Sequence, residues 1–221
     1  DVIHVCTPNR SHCEISCAAM EAGKHVLCEK PMAINAAEAR KMYETSKKTG
    51  VTLSIGYQNR FTPESQYVKA EAESGFFGDI YMARAYAIRR RAVPTWGVFL
   101  NEYEQGGGPL IDLGVHVMDL VRYLAGSPKP VSAYGFTFDK LGYGRAEGGQ
   151  SWIGSESGID FKYNVEDFAG AIIKFDNGLT MSLESSFNLN IKNDVGNIEL
   201  FGTKSGCKLD PSVELFSDMA G

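Results

Sequence analysis

Two stretches of the chain place side chains suited to proton and charge transfer at informative spacings. The first is Val26-Leu27-Cys28-Glu29-Lys30-Pro31, an apolar run ending in a carboxylate, an ammonium and a proline. Its apolar part reads as a short strand of a covered parallel sheet. Pro31 cannot continue the ladder and biases Lys30 toward extended backbone, so the strand stops where the two charges emerge. In an open α/β sheet, ligands sit at the carboxyl ends of the strands; a chance ion pair is the plainer alternative. The second stretch is 109–125, where Asp112 and His116 stand four residues apart on one helical face, led in by Gly106, Gly107 and Gly108. An imidazole titrating near ~6.5 suits a proton acceptor. An ammonium stabilises negative charge developing on oxygen, and a carboxylate orients either partner. The competing reading of the Asp112–His116 face is a solvated polar stripe. Those two residues could also be metal ligands at helical spacing, but no His or Cys cluster completes a zinc site. His4 lies within a strand and His25 begins one, so both read as structural and no metal is assigned.

The elements that must position these residues follow from periodicity. Strands are expected at 2–6, 25–28 and 51–55, with helices at 12–22 and 36–48 between them. Ser11 with Glu14 forms a candidate capping box for the first helix, and Asn35 caps the second, whose last turn is basic. This alternation implies parallel strands with right-handed crossovers. Thr62 caps a further helix to about Ser74, and residues 80–89 alternate as a long strand. In the 109–125 helix, Leu110, Leu113, Val117, Leu120, Val121 and Leu124 share one arc, and Asp112, His116, Asp119 and Tyr123 the opposite one. Strands follow at 131–138, 166–175, 179–187, 196–202 and 206–210, with Asp176-Asn177-Gly178 as a hairpin turn. Residues 139–157 are Gly- and Ser-rich without a period and read as a surface loop.

Composition narrows the function classes. Over 221 residues, 43% are hydrophobic and 22% charged, ordinary for a globular chain. A net charge of -5 argues against non-specific nucleic-acid binding. No apolar run approaches the ~20 residues of a membrane span. Five cysteines in a chain of this length do not make a disulfide framework. Cys13 and Cys17 read as packing residues in a reducing compartment, and a cytoplasmic location is expected.

Thr7-Pro8-Asn9 with His12, Glu29-Lys30-Pro31, Gly56-Tyr57-Gln58-Asn59-Arg60-Phe61, and Gly107-Gly108-Pro109-Leu110-Ile111-Asp112-Leu113-Gly114-Val115-His116 occur in that order. In these motifs, across nearly its whole length, the chain resembles the Gfo/Idh/MocA family of oxidoreductases using NAD or NADP. The resemblance implies an α/β fold. Residues 1–60 would be the second half of a Rossmann-like doubly wound parallel sheet. Residues 61–221 would be an α+β substrate-binding and oligomerisation domain with a mostly antiparallel, open-faced sheet. No strand–GxGxxG–helix unit is found; Gly142-Tyr143-Gly144 with Gly148-Gly149 lacks its spacing and following helix. The chain therefore reads as an internal stretch of a longer protein, with cofactor binding impaired in the 221 residues alone.

The resemblance further implies hydride transfer between NAD(P) and a secondary alcohol of a sugar, sugar derivative or cyclic polyol. Lys30, Asp112 and His116 match the catalytic set: cation, carboxylate and base. Thr7, Pro8, Asn9, His12, Glu29, Lys30 and Gln58 would line the cofactor. Lys30, Arg60, Trp96, Asp112 and His116 would contact substrate. Arg89-Arg90-Arg91 beside Trp96 offers an anion clamp, but strand alternation puts Arg90 on the face opposite Arg89 and Arg91, and a solvated rim is the default. Self-association as a dimer or tetramer is expected through an apolar sheet face carrying Ile172, Phe175, Met181 and Leu183. The alternatives are glycoside cleavage with the same cofactor, or a sensor of sugars or dinucleotides that has lost catalysis.

Overall fold

A computed structural model describes residues 1–94, 96–141, 163–209 and 212–218. The first unit is a three-stranded parallel sheet in the order β1-β2-β3. Its elements are β1 (Val2–Val5), α1 (His12–Glu21), β2 (His25–Cys28), α2 (Ala36–Thr49) and β3 (Leu53–Ile55). The register pairs Val5 with Cys28 and Cys28 with Ile55, so all three strands end at one edge. The segments that follow them, at Thr7, at Glu29-Lys30 and at Gly56-Tyr57, therefore emerge together. Val5, Val26 and Cys28 pack against Cys13, Cys17 and Met20 of α1 and Met42 of α2. All five cysteines are free, and burial pushes the Cys13 and Cys28 thiols up to about 11. Such thiols are packing groups rather than nucleophiles.

Local chemistry sets the helix boundaries. Asn35 accepts from the Glu38 amide and Thr62 from the Ser65 amide, both as N-caps. The capping box expected at Ser11 does not form: its backbone is already helical, and a 3-10 turn over Asn9–Ser11 precedes α1. A serine in that conformation cannot turn its hydroxyl back onto the first-turn amides.

The second unit contains α3 (Pro63–Glu73), β4 (Ile80–Ile88), α4 (Glu102–Gln105), a π turn over Leu110–Gly114, α5 (Val115–Leu124), β5 (Pro130–Phe138), β6 (Phe168–Phe175), β7 (Thr180–Ser186), β8 (Val195–Gly202), β9 (Ser205–Leu209) and β10 (Val213–Ser217). The strands form one sheet ordered β10-β9-β8-β4-β7-β6-β5, antiparallel throughout except for β4 with β7. Helices α3 and α5 supply Val68, Leu120, Val121 and Leu124 to a core shared with Ala83, Ala85, Ile173, Met181, Leu183, Ile198 and Leu200 of the sheet. The short α4 and the edge strand β10 are absent from the sequence expectations. The expected loop at 139–157 and its glycines lie, from residue 142 on, outside the described residues.

Two expectations are corrected. Phe175, Met181 and Leu183 are at most 2% exposed and face the helices, not the open side. Strand alternation sends Ile172 outward, opposite Tyr134, while its neighbour Ile173 goes in. The open face carries Tyr134, Phe136, Phe138 and Ile172 instead. The uniform helical arc over 109–125 also fails. Val115 N–H bonds to Leu110 O in the π turn, which widens the helix by one residue and shifts its phase. Leu110 is thereby exposed, while Asp119, assigned to the polar arc, is buried.

Candidate active site

Lys30 arrives from the end of β2 and Asp112 from the π turn, and they meet between the two units. The Lys30 ammonium donates to Asp112 Oδ1 at 2.7 Å and to the Asp112 carbonyl at 2.8 Å. Their side chains are 17% and 15% exposed. An ammonium has three N–H donors, so one remains for a third partner. Asp112 thus fixes the cation rather than the imidazole.

His116 stands one turn further along. Its Nδ1 is buried without a hydrogen-bond partner. Burial, reinforced by the nearby Lys30 charge, lowers the ring to about 4; Asp112, Asp119 and Glu29 oppose the shift without overcoming it. The ring is therefore neutral at physiological pH, not poised near its ordinary value. It lines a cavity of about 970 Å³ together with Gln58, Tyr86, Arg89 and Asn197.

The glycines before this helix serve packing. Gly106 has φ 81, which a side chain rarely adopts, and a Cβ on Gly108 would lie 2.3 Å from Glu166 O. Glu166 also accepts from the Gly108 amide at 2.8 Å. Sequence reading gave no signal for this carboxylate, which follows an aperiodic run.

The remaining candidates separate into groups. Asn9 is buried and its Nδ2 donates to Gln105 O at 3.0 Å. His12 is fully buried, with Nδ1 at 2.8 Å from Pro31 O and Nε2 at 3.0 Å from Thr7 O. Thr7 is exposed, Pro8 half-buried, and Glu29 lies 3.4 Å from His4. Thr7, Pro8, Asn9, His12 and Glu29 thus surround the strand ends of the parallel sheet. Cys6 joins His4 and Glu29 in a group whose ligand atoms lie within 4.8 Å of one another. Arg60 forms a two-pronged pair with Asp119, at 2.7 Å from Nε and 2.5 Å from the terminal nitrogen. Its guanidinium also lies 5.4 Å from the Tyr57 ring centre and 5.3 Å from that of Tyr123. Asp119 stands on the polar arc from sequence, three residues beyond His116, but not among the candidate site residues. Trp96 is exposed and packs edge-on against Phe99 at 4.5 Å. Arg91 donates to Asn188 Oδ1 and Leu189 O, and Arg90 to Ile191 O, so they brace neighbouring backbone.

The strand ends of the parallel sheet fit the nicotinamide side of a dinucleotide: a Cβ on Gly56 would come within 3.2 Å of Glu29 Oε2, so glycine keeps that edge open beside the carboxylate. A Rossmann-type half-sheet joined to an open-faced α+β domain, with lysine, carboxylate and imidazole between them, defines the class of protein. Residues 1–57 match the oxidoreductase family with an NAD-binding Rossmann fold, and residues 65–207 match the GFO/IDH/MocA C-terminal domain. The chain belongs to the Gfo/Idh/MocA family. It is 40% identical over 223 residues to D-glucoside 3-dehydrogenase of Escherichia coli K12, covering 100% of this chain and 62% of that protein. It is 31% identical to levoglucosan dehydrogenase of Pseudarthrobacter phenanthrenivorans, covering 92% of this chain and 53% of the relative. The chain thus spans less than two thirds of either relative. The solved structure of a levoglucosan dehydrogenase with NADH and levoglucosan superposes with a TM-score of 0.83 at 25% identity, covering 100% of this chain and 57% of that one.

Proposed function

We propose that the intact protein is an NAD(P)-dependent oxidoreductase acting on a secondary alcohol of a sugar, sugar derivative or cyclic polyol. The observation that carries this reading is the Lys30–Asp112–His116 arrangement. A cation has two donors fixed and one free, beside a neutral imidazole that opens onto a cavity large enough for a carbohydrate. A bound nicotinamide cofactor would supply the hydride acceptor for the alcohol carbon. The remaining Lys30 N–H would donate to the alcohol oxygen and stabilise the charge that develops as the proton leaves. Neutral His116 accepts that proton. Asp112 holds Lys30 in place. Thr7, Pro8, Asn9, Glu29 and Gln58 would hold the nicotinamide end, and Trp96 and Arg60 would border the substrate region.

The relatives named for D-glucosides and levoglucosan, together with a Thermotoga maritima myo-inositol 2-dehydrogenase 33% identical over 126 residues, direct the choice of substrates. The test incubates the intact protein with NAD⁺ or NADP⁺ and methyl glucosides, levoglucosan or myo-inositol, following absorbance of the reduced nicotinamide. Turnover of at least one is expected; binding without turnover would turn the reading toward a sensor. The 221 residues alone would bind the cofactor weakly, since a Gly-rich phosphate loop is not among them.

Self-association through the open sheet face belongs to the same proposal. It is supported by Tyr134 at 72% exposure beside Phe136, Phe138 and Ile172; a monomer in light scattering at micromolar concentration would count against it. A cytoplasmic location is supported by five free thiols. Among the described residues no helix is long and apolar enough to cross a membrane.

A further inference from the structure

The turn between β1 and α1 reaches both segments that carry the reacting side chains. His12 faces the carbonyl of Pro31, the residue after Lys30, and on its other nitrogen the carbonyl of Thr7. Asn9 donates to the carbonyl of Gln105, the residue before the glycine run that leads to Asp112. Arg10 adds a bond to Tyr103 O in the same stretch. Asn9 is 7% exposed and His12 0%, so neither bond is readily replaced by water. One turn thus grips the Lys30 segment through His12 and the Asp112 segment through Asn9, although Lys30 and Asp112 are 82 positions apart.

The geometry points to His12 and Asn9 as positioning residues: together they set the distance between Lys30 and Asp112, and so the aim of the free Lys30 donor. This rests on the reading of Lys30 and His116 as the reacting pair. His12 has no hydrogen-bonding edge left for a ligand, since both ring nitrogens face carbonyls. Its contribution to turnover therefore runs through Lys30. A glutamine can replace it in part, because a single amide nitrogen carries two N–H donors.

The test uses the intact protein with NAD⁺ or NADP⁺ and whichever sugar of the panel it turns over. His12→Ala and Asn9→Ala should each lower kcat by about 10- to 100-fold, the scale of a small misplacement of a reacting group, and His12→Gln should recover part of the loss. In a Lys30→Met background, His12→Ala should change kcat little further; a merely structural role would give the same drop in both backgrounds. A second readout needs no substrate. ¹³C-labelled histidine follows the His116 ring by NMR, its signal assigned by its loss in His116→Asn. His12→Ala should move its titration upward, in the direction Lys30→Met moves it, because a displaced Lys30 no longer depresses the ring. If Lys30→Met keeps full turnover, the functional reading fails. If Lys30→Met loses turnover while folded His12→Ala and Asn9→Ala keep wild-type kcat, or, in the absence of any turned-over sugar, His12→Ala leaves the His116 titration unmoved, this inference alone fails.

Discussion

Replacing Lys30 by methionine tests the site most directly, because the change keeps an unbranched side chain and removes only the cation. In the folded protein two Lys30 donors are committed to Asp112, at 2.7 and 2.8 Å, which leaves a single N–H for the substrate oxygen. Removing one preorganised donor to a developing oxyanion costs about 10²–10³-fold in kcat, roughly 2.7–4 kcal/mol of transition-state stabilisation. KM should change much less, since the interaction strengthens only as charge develops. The same change leaves the 15%-exposed Asp112 carboxylate without its partner. Uncompensated buried charge is destabilising by about 3–5 kcal/mol, so the variant must first be shown to be folded by circular dichroism and denaturant titration. Asp112→Asn supplies the control. Its amide oxygen still accepts from Lys30, so its loss in kcat should be smaller than that of Lys30→Met. Steady-state kinetics with cofactor and sugar both varied separates kcat from KM. A folded Lys30→Met protein with wild-type kcat would refute the role given to the ammonium, and equal losses in the two variants would refute the division of labour.

Other expectations follow from particular contacts. His116 is lowered to about 4 by burial and Lys30, so the unfolded chain, titrating near 6.5, takes up its proton first as pH falls. The unfolded state then binds more protons, stability declines between about pH 6.5 and 4, and urea titrations at stepped pH should show His116→Asn flattening that decline. Gly108→Ala places a Cβ 2.3 Å from Glu166 O and should destabilise by about 1–3 kcal/mol or more in a denaturant titration. Arg60→Ala leaves Asp119, whose side chain is 9% exposed, without its cation; since Arg60 is itself 35% exposed, the loss should be roughly 2–4 kcal/mol, below the fully buried range. Arg60→Lys should not restore it, because a lysine cannot make the two-pronged contact.

The parts of the fold that were legible are those set by short-range chemistry. Asn35 and Thr62 cap where their side chains find an amide three residues on, and Asp176-Asn177-Gly178 turns β6 into β7. Alternation marks β4 over Ile80–Ile88. The same alternation failed to give the right open face, because it states that Ile172 and Ile173 differ without stating which is inside; the covering helices decide that. The π turn was invisible since helical periodicity assumes a constant phase, and one extra residue was enough to expose Leu110. In the site, Lys30 could be placed at a strand end and His116 on a helix face. Their relation could not be seen: the bond from Lys30 to Asp112 spans 82 positions, and the lowered His116 value depends on burial that only the assembled units create.

That lowered value explains how a weak base can serve the proposed reaction. An imidazole held near 4 is fully available as an acceptor at neutral pH, but its conjugate acid gives the proton back readily. Two influences keep it there, burial first and the Lys30 charge second, while three carboxylates pull the other way. The second influence changes as the alcohol reacts. As negative charge gathers on the substrate oxygen beside the free Lys30 donor, it cancels part of the cation's field at His116. The ring then becomes more basic as the proton needs a place to go, with the carboxylates of Asp112, Asp119 and Glu29 now less opposed. The Asp112 contacts are what keep this coupling from collapsing, because they hold the ammonium near both the ring and the oxygen. A lysine free to swing into solvent would raise the resting value of His116, yet it would lose the gain in basicity that the reaction itself supplies.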